Sequence, residues 1–189
     1  MYFTSRRANT TGGKRDAGDG KYLEDVYVTI NIAGNWLDAS PVGPPICSET
    51  HESVIGLSAD GQKLFIFKDV TGDGGDLYIS KIDGYEWPPA DPLPDGINSP
   101  HAEKSVTLSA DERYLFFVSN RPHGVGGKDI YWCKKKDLYK WTKPRLASKI
   151  NTIYDEEGVF FHPDGKTLYF SSKGHPGLGG YDIFETTFS

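Results

Sequence analysis

The chain has 189 residues with 21 Lys+Arg against 26 Asp+Glu, a formal net charge of −5, 37% hydrophobic and 13% aromatic content, 22 Gly, 12 Pro and one Met. The acidic balance argues against a nucleic-acid surface, which needs a basic excess or stripe. No run of 18 apolar residues is present to cross a bilayer as a helix, and the first residues lack the apolar stretch of a secretory signal. Aromatic richness punctuated by Gly and Pro predicts an all-β protein with many turns. Cys47 and Cys133 make neither a disulfide framework nor a zinc spacing.

In chain order, Met1 to Ser5 reads as a strand and Arg6 to Glu24 as a long loop, followed by the short strand Asp25-Val26-Tyr27 and a segment around Trp36. From Ser58 the pattern becomes regular. S-A-D-G-Q-K-L-F-I-F is followed by a glycine loop and Asp76-Leu77-Tyr78; S-A-D-E-R-Y-L-F-F-V by R-P-H-G-V-G-G and Asp129-Ile130-Tyr131; H-P-D-G-K-T-L-Y-F-S by G-H-P-G-L-G-G and Asp182-Ile183-Phe184. The turn aspartates Asp60, Asp111 and Asp164 are 51 and 53 residues apart, and the strand-opening aspartates Asp25, Asp76, Asp129 and Asp182 keep the same spacing. Trp36, Trp87 and Trp141 follow it, as do the pairs Ile97-Asn98 and Ile150-Asn151.

Independent markers holding one period indicate a repeat architecture. Each unit carries four strand candidates: one ending at the turn, the apolar run, the Asp-led strand, and a fourth placed around the Trp. Prolines such as Pro88, Pro89 and Pro144 assign the fourth to an edge, because proline cannot donate to a ladder. Four antiparallel strands in about 50 residues is the signature of a β-propeller blade. The expected domain is one partial β-propeller over 1–189, with blade units at approximately 1–47, 48–98, 99–151 and 152–189. The strands number three, four, four and three, so the first and last blades are incomplete. This favours part of a larger propeller over a closed four-bladed ring.

The combination of the S-A-D-G or H-P-D-G turn, L-Y-F-S-S and G-x-G-G-x-D-I-Y resembles the WD-like repeat of TolB-type propellers. With W-x-x-P and I-N-[ST] between repeats, it is most similar to propellers of OmpA-family cell-envelope proteins from Bacteroidetes-type bacteria. The resemblance covers nearly the whole chain. It departs in the loop Arg6 to Glu24, which loses G-x-G-G, and at Glu112, where Glu replaces the usual Gly and a different turn type is expected. The resemblance implies a periplasmic or outer-membrane-associated, non-catalytic interaction module. Its partner would be a protein or a neighbouring domain of the parent chain, with peptidoglycan reached through a domain outside this one.

Strand order puts the glycine loops and Ile-Asn links on one face, the top, and the Asp-Gly turns on the other. The top face then collects His51, His101, His175, Tyr154, Arg121, His123 and Lys173, and loops on a rigid scaffold are where binding concentrates. Glu52, Glu103 and Glu156 recur at the entrance of each inner strand. They are candidates for a carboxylate ring at the channel mouth that takes a cation or a basic tail, or else for internal acceptors. Arg121, His123 and Trp132 stand where the copies differ and are the positions expected to carry individual function. The strand-opening aspartates read as acceptors for loop amides, and Gly75, Gly127 and Gly180 as residues supplying positive φ.

No cofactor or metal is expected. Calcium is the ion the aspartates would take, but Val125 and Leu178 stand where the nonapeptide calcium repeat needs Gly, and Asp69, Asp73 and Asp76 miss the EF-hand pattern. No G-x-S-x-G or H-E-x-x-H occurs, so the reading is a non-enzyme. The alternatives are a regulatory propeller of a prolyl-oligopeptidase-type peptidase and a glycan-binding propeller.

Overall fold

The structure, a computed structural model, describes residues 1–69, 75–137 and 140–188. The first sheet joins β1 (Tyr2–Ser5), β2 (Asp25–Val28) and β5 (Ser40–Pro41), and a small hairpin of β3 (Asn31–Ile32) and β4 (Asn35–Trp36) lies between the last two in sequence. The second sheet is β6 (His51–Leu57), β7 (Lys63–Asp69), β8 (Asp76–Lys81) and β9 (Asp91–Pro92). The third is β10 (Glu103–Leu108), β11 (Tyr114–Ser119), β12 (Asp129–Lys134) and β13 (Arg145–Leu146), and the fourth is β14 (Glu156–Phe161), β15 (Thr167–Ser172) and β16 (Asp182–Thr187). Every strand pairing is antiparallel, and all join consecutive strands except β2 with β5, which the β3–β4 hairpin separates, so each blade sheet runs up and down. The chain is an all-β array of propeller blades.

The apolar runs are continuous because their strands are covered on both faces. Successive side chains of a strand point to opposite sides. Leu64 and Ile66 therefore pack on Val26, Ile46 and Trp87 behind them, while Phe65 faces forward into Leu108, Leu115 and Phe117. One repeat later, Leu115 and Phe117 point back while Phe116 and Val118 point forward onto Val159, Phe161 and Phe170. These side chains are almost fully buried, each contributing about 1.5–3 kcal/mol of burial free energy. The inner strands are irregular: β6, β10 and β14 each carry a register shift.

Two expectations need correction. The fourth strand does not surround the tryptophan but starts four residues after it, at Ser40, Asp91 and Arg145. Trp36 is on β4, Trp87 follows the turn closed by Asp83 and Glu86, and Trp141 bridges Lys135. Pro88 and Pro89 explain the delay after Trp87, since neither offers an amide for pairing. The turn at Glu112 also keeps its type. Glu112 takes φ 57°, matching Gly61 at 70° and Gly165 at 74°. A non-Gly residue in that region is strained; the Glu112 carboxylate makes ion pairs with Lys63 and Lys135.

Trp132 is half-buried, against Tyr114 at 6.0 Å between ring centroids and Phe188 at 6.4 Å, with Arg145 over its face. It packs between the third and fourth blades and is no free anchor.

Candidate functional site

The repeated polar residues prove to be joinery. Glu103 has no exposed surface and accepts hydrogen bonds from Ser99 N (3.0 Å), Ser99 Oγ (2.7 Å), Ser119 Oγ (2.7 Å) and Arg121 Nη2 (3.1 Å). Glu156 repeats this with Thr152 N (3.0 Å), Thr152 Oγ1 (2.8 Å) and Ser172 Oγ (2.7 Å). Glu52 accepts from Ser48 and from Thr50 Oγ1 (2.7 Å). All three are 0% exposed, so they form no open ring for a cation or basic tail. Each ties the link entering a blade to that blade's inner strand.

Arg121 and His175 differ in identity but do the same work. Arg121 lies over Phe117 (4.9 Å to the centroid) and Tyr131 (5.2 Å), and donates to Gly96 O and Ile97 O at 2.7 Å each. One blade on, His175 contacts Phe170 and Phe184 and its Nε2 is 2.7 Å from Ile150 O. One blade back, Lys68 lies over Tyr78 and donates to Ile46 O at 2.7 Å. Each covers an aromatic ring and reaches the carbonyl of the preceding blade's isoleucine. The sequence pattern missed this equivalence because three residue types of different length fill one role from different positions, Lys68 from strand β7 and Arg121 and His175 from loops.

Asn98 and Asn151 act as one-residue strands. Asn98 accepts from Leu77 N (3.0 Å) and donates to Leu77 O (2.9 Å), and Asn151 does the same with Ile130 (2.8 and 2.9 Å). At the corresponding place Cys47 donates to Val26 O. The strand-opening aspartates accept from loop groups: Asp25 from Thr10 Oγ1 (2.7 Å), Asp129 from Val125 N (3.1 Å) and Gly126 N, and Asp182 from Gly179 N (3.1 Å). Among the described residues no three His, Cys, Asp or Glu side chains converge as metal ligands; Asp73, with Gly72 and Gly74, lies outside them. Gly75 and Gly180 have φ of 73° and 65°. Gly127 does not. A Cβ there would meet only the end of the Asp155 side chain, at 2.5 Å, whereas at Gly126 it would overlap backbone, Tyr154 O.

Among the other predicted top-face residues, His51 is held by Glu24 N (3.3 Å) and Asp16 Oδ2 (2.9 Å). His101 is exposed, with its amide on Ser99 Oγ, and His123 is exposed with φ 72°. Tyr154 is different. It is 55% exposed beside Ile153 at 74%, between the loops 124–127 and 173–181. Val125, Leu178 and Tyr181 are exposed on those two loops, so five apolar or aromatic side chains share the top of blades 3 and 4. Beneath them, Asp155 accepts from Lys173 Nζ (3.3 Å), Tyr181 Oη (3.4 Å) and Lys128 N (3.2 Å), while Lys173 lies over Tyr181. Burial pushes the Asp155 carboxyl up, but Lys173 outweighs it and holds the group below the usual carboxylate range. Burial, then Glu157, raises the Tyr181 phenol, which stays a neutral donor. A signal for Val125 and Leu178 was available: both fill the variable position of G-x-G-G, where blade geometry asks for nothing apolar.

Neither a family model nor a curated protein matches this chain. Solved structures do. TolB of Acinetobacter baumannii superposes with a TM-score of 0.56 at 11% identity over 87% of this chain, and a putative TolB of Agrobacterium tumefaciens with 0.55 at 14% over 90%. An α-L-arabinofuranosidase of Lactobacillus brevis gives 0.50 at 10% over the whole chain and 68% of its own length. The chain spans 35% and 59% of the two TolB chains. At these identities the likeness is one of fold: this chain has the blade architecture of the TolB β-propeller.

Proposed function

We propose that the chain is a non-catalytic docking propeller of the bacterial cell envelope, periplasmic or outer-membrane-associated, that holds a protein partner or neighbouring domain against its top face. The observation that carries the reading is that Val125, Ile153, Tyr154, Leu178 and Tyr181, from three segments, are exposed together on the top loops of blades 3 and 4; Ile30, Ile32, Trp36 and Leu37 are also exposed but belong to the β3–β4 hairpin and its flanks. A contiguous exposed apolar patch with a polar rim marks an interaction surface, and tyrosine with aliphatic neighbours is the composition of an interface centre. Beneath the patch, Asp155 accepts hydrogen bonds from Lys173 and Tyr181. The TolB-type fold and the envelope-type repeat support the compartment.

The test places a photo-crosslinking residue at Tyr154, and at Gln62 in a bottom turn as control, in the chain expressed in its native cell. A discrete crosslinked protein at Tyr154, absent at Gln62 and lost with Ile153→Glu plus Leu178→Glu, is the expected result. No adduct, or the same adducts from both positions, refutes docking through this patch. Recovery of the chain in the cytosolic fraction refutes the envelope assignment.

A further inference from the structure

A second surface lies at the outer edge between blades 2 and 3. A groove of about 840 Å³ runs there, with Pro94 to Ile97 on one wall and the hairpin leading into β13 on the other. Its top end is Arg121 to His123, its floor includes Tyr131 and Leu146, and its lower end is Lys136 and Lys140 to Pro144. It thus joins the top loop at Arg121 to His123 with the segments that flank β12 and β13 at Lys136 and Lys140 to Pro144.

Charge is concentrated here against the trend of the molecule. Lys134, Lys135, Lys136, Lys140, Lys143 and Arg145 face only Asp137 in sequence, in a chain of net charge −5. The structure sorts these cations. Lys135 is engaged by Glu112 at 3.6 Å, Lys134 lies toward Tyr114, and Arg145 covers Trp132. Arg121 is committed to Gly96 O, Ile97 O and buried Glu103. Lys136, Lys140 and Lys143 line the groove, are exposed, and make no ion pair among the described residues. The floor is closed by Leu146 and by Tyr131, which is 6% exposed beneath Arg121. Three exposed ammonium groups without ion-pair partners among the described residues, beside apolar walls from Trp141, Pro94 and Pro144, call for acceptor groups carried on a linear, partly apolar ligand.

We propose that this groove binds an extended acidic polypeptide segment. Side chains on one face of an extended chain recur every second residue, roughly 6.6 Å apart, which lets carboxylates meet the lysines while the residues between them lie on Trp141 and the prolines. Asp95 on the opposite wall decides between classes. It repels a polymer charged at every unit, such as a nucleic acid or sulfated glycan, whereas a peptide can put a neutral residue beside it. The site is separate from the top-face patch and does not depend on it.

Anisotropy titration of the whole chain uses a labelled peptide of alternating Glu and Ser, the Gln-for-Glu and Lys-for-Glu versions, and heparin as competitor. Saturable binding of the Glu peptide alone, weakening with added salt, is the expected result. Lys136→Gln/Lys140→Gln/Lys143→Gln weakens it by about tenfold or more, as removal of charge complementarity does, and Ile153→Glu leaves it unchanged. All three lysines are exposed, so the variant keeps its melting curve; Lys140→Glu alone gives the same direction if it does not. No saturable Glu-peptide binding, binding retained in the triple variant, or heparin displacing the peptide at equal charge overturns the proposal. Binding lost with Ile153→Glu but kept in the lysine variant would assign the peptide to the top patch instead.

Discussion

Removing the Glu103 carboxylate should cost distinctly more than removing the matching Glu156 carboxylate. In Glu103→Ala the amide and hydroxyl of Ser99 and the hydroxyl of Ser119 lose their acceptor, and Arg121, whose side chain is 14% exposed, loses its only ion-pair partner among the described residues. Breaking a buried pair by deleting one partner costs about 3–5 kcal/mol because the remaining charge is stranded. Glu156 has no such partner. Its donors are Thr152 N, Thr152 Oγ1 and Ser172 Oγ, and His175 bonds Ile150 O instead. Glu156→Ala therefore costs about 1–3 kcal/mol, the penalty of neutral groups left unsatisfied. Against a total stability of about 5–15 kcal/mol, the two variants separate clearly in urea denaturation followed by tryptophan fluorescence. The double variant Glu103→Ala/Arg121→Met should recover part of the loss, since no guanidinium is then stranded. Equal midpoints for the two single variants, or no recovery in the double, would refute the claim that the charge on Arg121 sets the difference.

Three further outcomes follow from the same geometry. Cys47 and Cys133 are buried and their thiols are pushed up to about 12 by desolvation. A chromogenic disulfide reagent at mildly alkaline pH should therefore react with neither in the native chain and with both in denaturant; prompt native reaction would refute their burial. Gly126→Ala should damage the top face, because its Cβ would overlap Tyr154 O. Gly180→Ala, with open space but φ 65°, should cost only the roughly 1–2 kcal/mol of left-handed backbone; thermal melts of the pair invert this order if close approach is not what selects Gly126. The Asp164 carboxyl is held well below its usual range by the Thr167 hydroxyl and amide and the Lys166 amide. A depressed folded-state pKa gives stability present above the ordinary carboxylate pKa and lost as pH falls through the folded value. Wild type should thus exceed Asp164→Ala at neutral pH and lose that margin on acidification, and a pH-independent margin would contradict the hydrogen-bond assignment.

The repeat was legible from residues alone. Turn aspartates, Asp-led strands and apolar runs recur because each blade must solve the same local problems of reversal, pairing and two-sided burial, and each solution uses few residue types. The sequence by itself therefore determined the blade, its strand order and the face on which the glycine loops emerge. Tertiary structure alone decided which polar residues were left over. Glu103 looks like a channel carboxylate until Ser99, Ser119 and Arg121 close around it, and the common role of Lys68, Arg121 and His175 depends on reach across a blade junction, which residue type does not encode. The same holds for the two surfaces proposed as sites. Val125, Ile153, Tyr154, Leu178 and Tyr181 come from three separate segments, and the groove sets Lys136, Lys140 and Lys143 against a wall about 45 residues earlier in the chain. Neighbours so distant in sequence are made by the stacking of blades, because stacking brings different blades' loops and edges together and leaves uncovered only what no neighbouring blade needs.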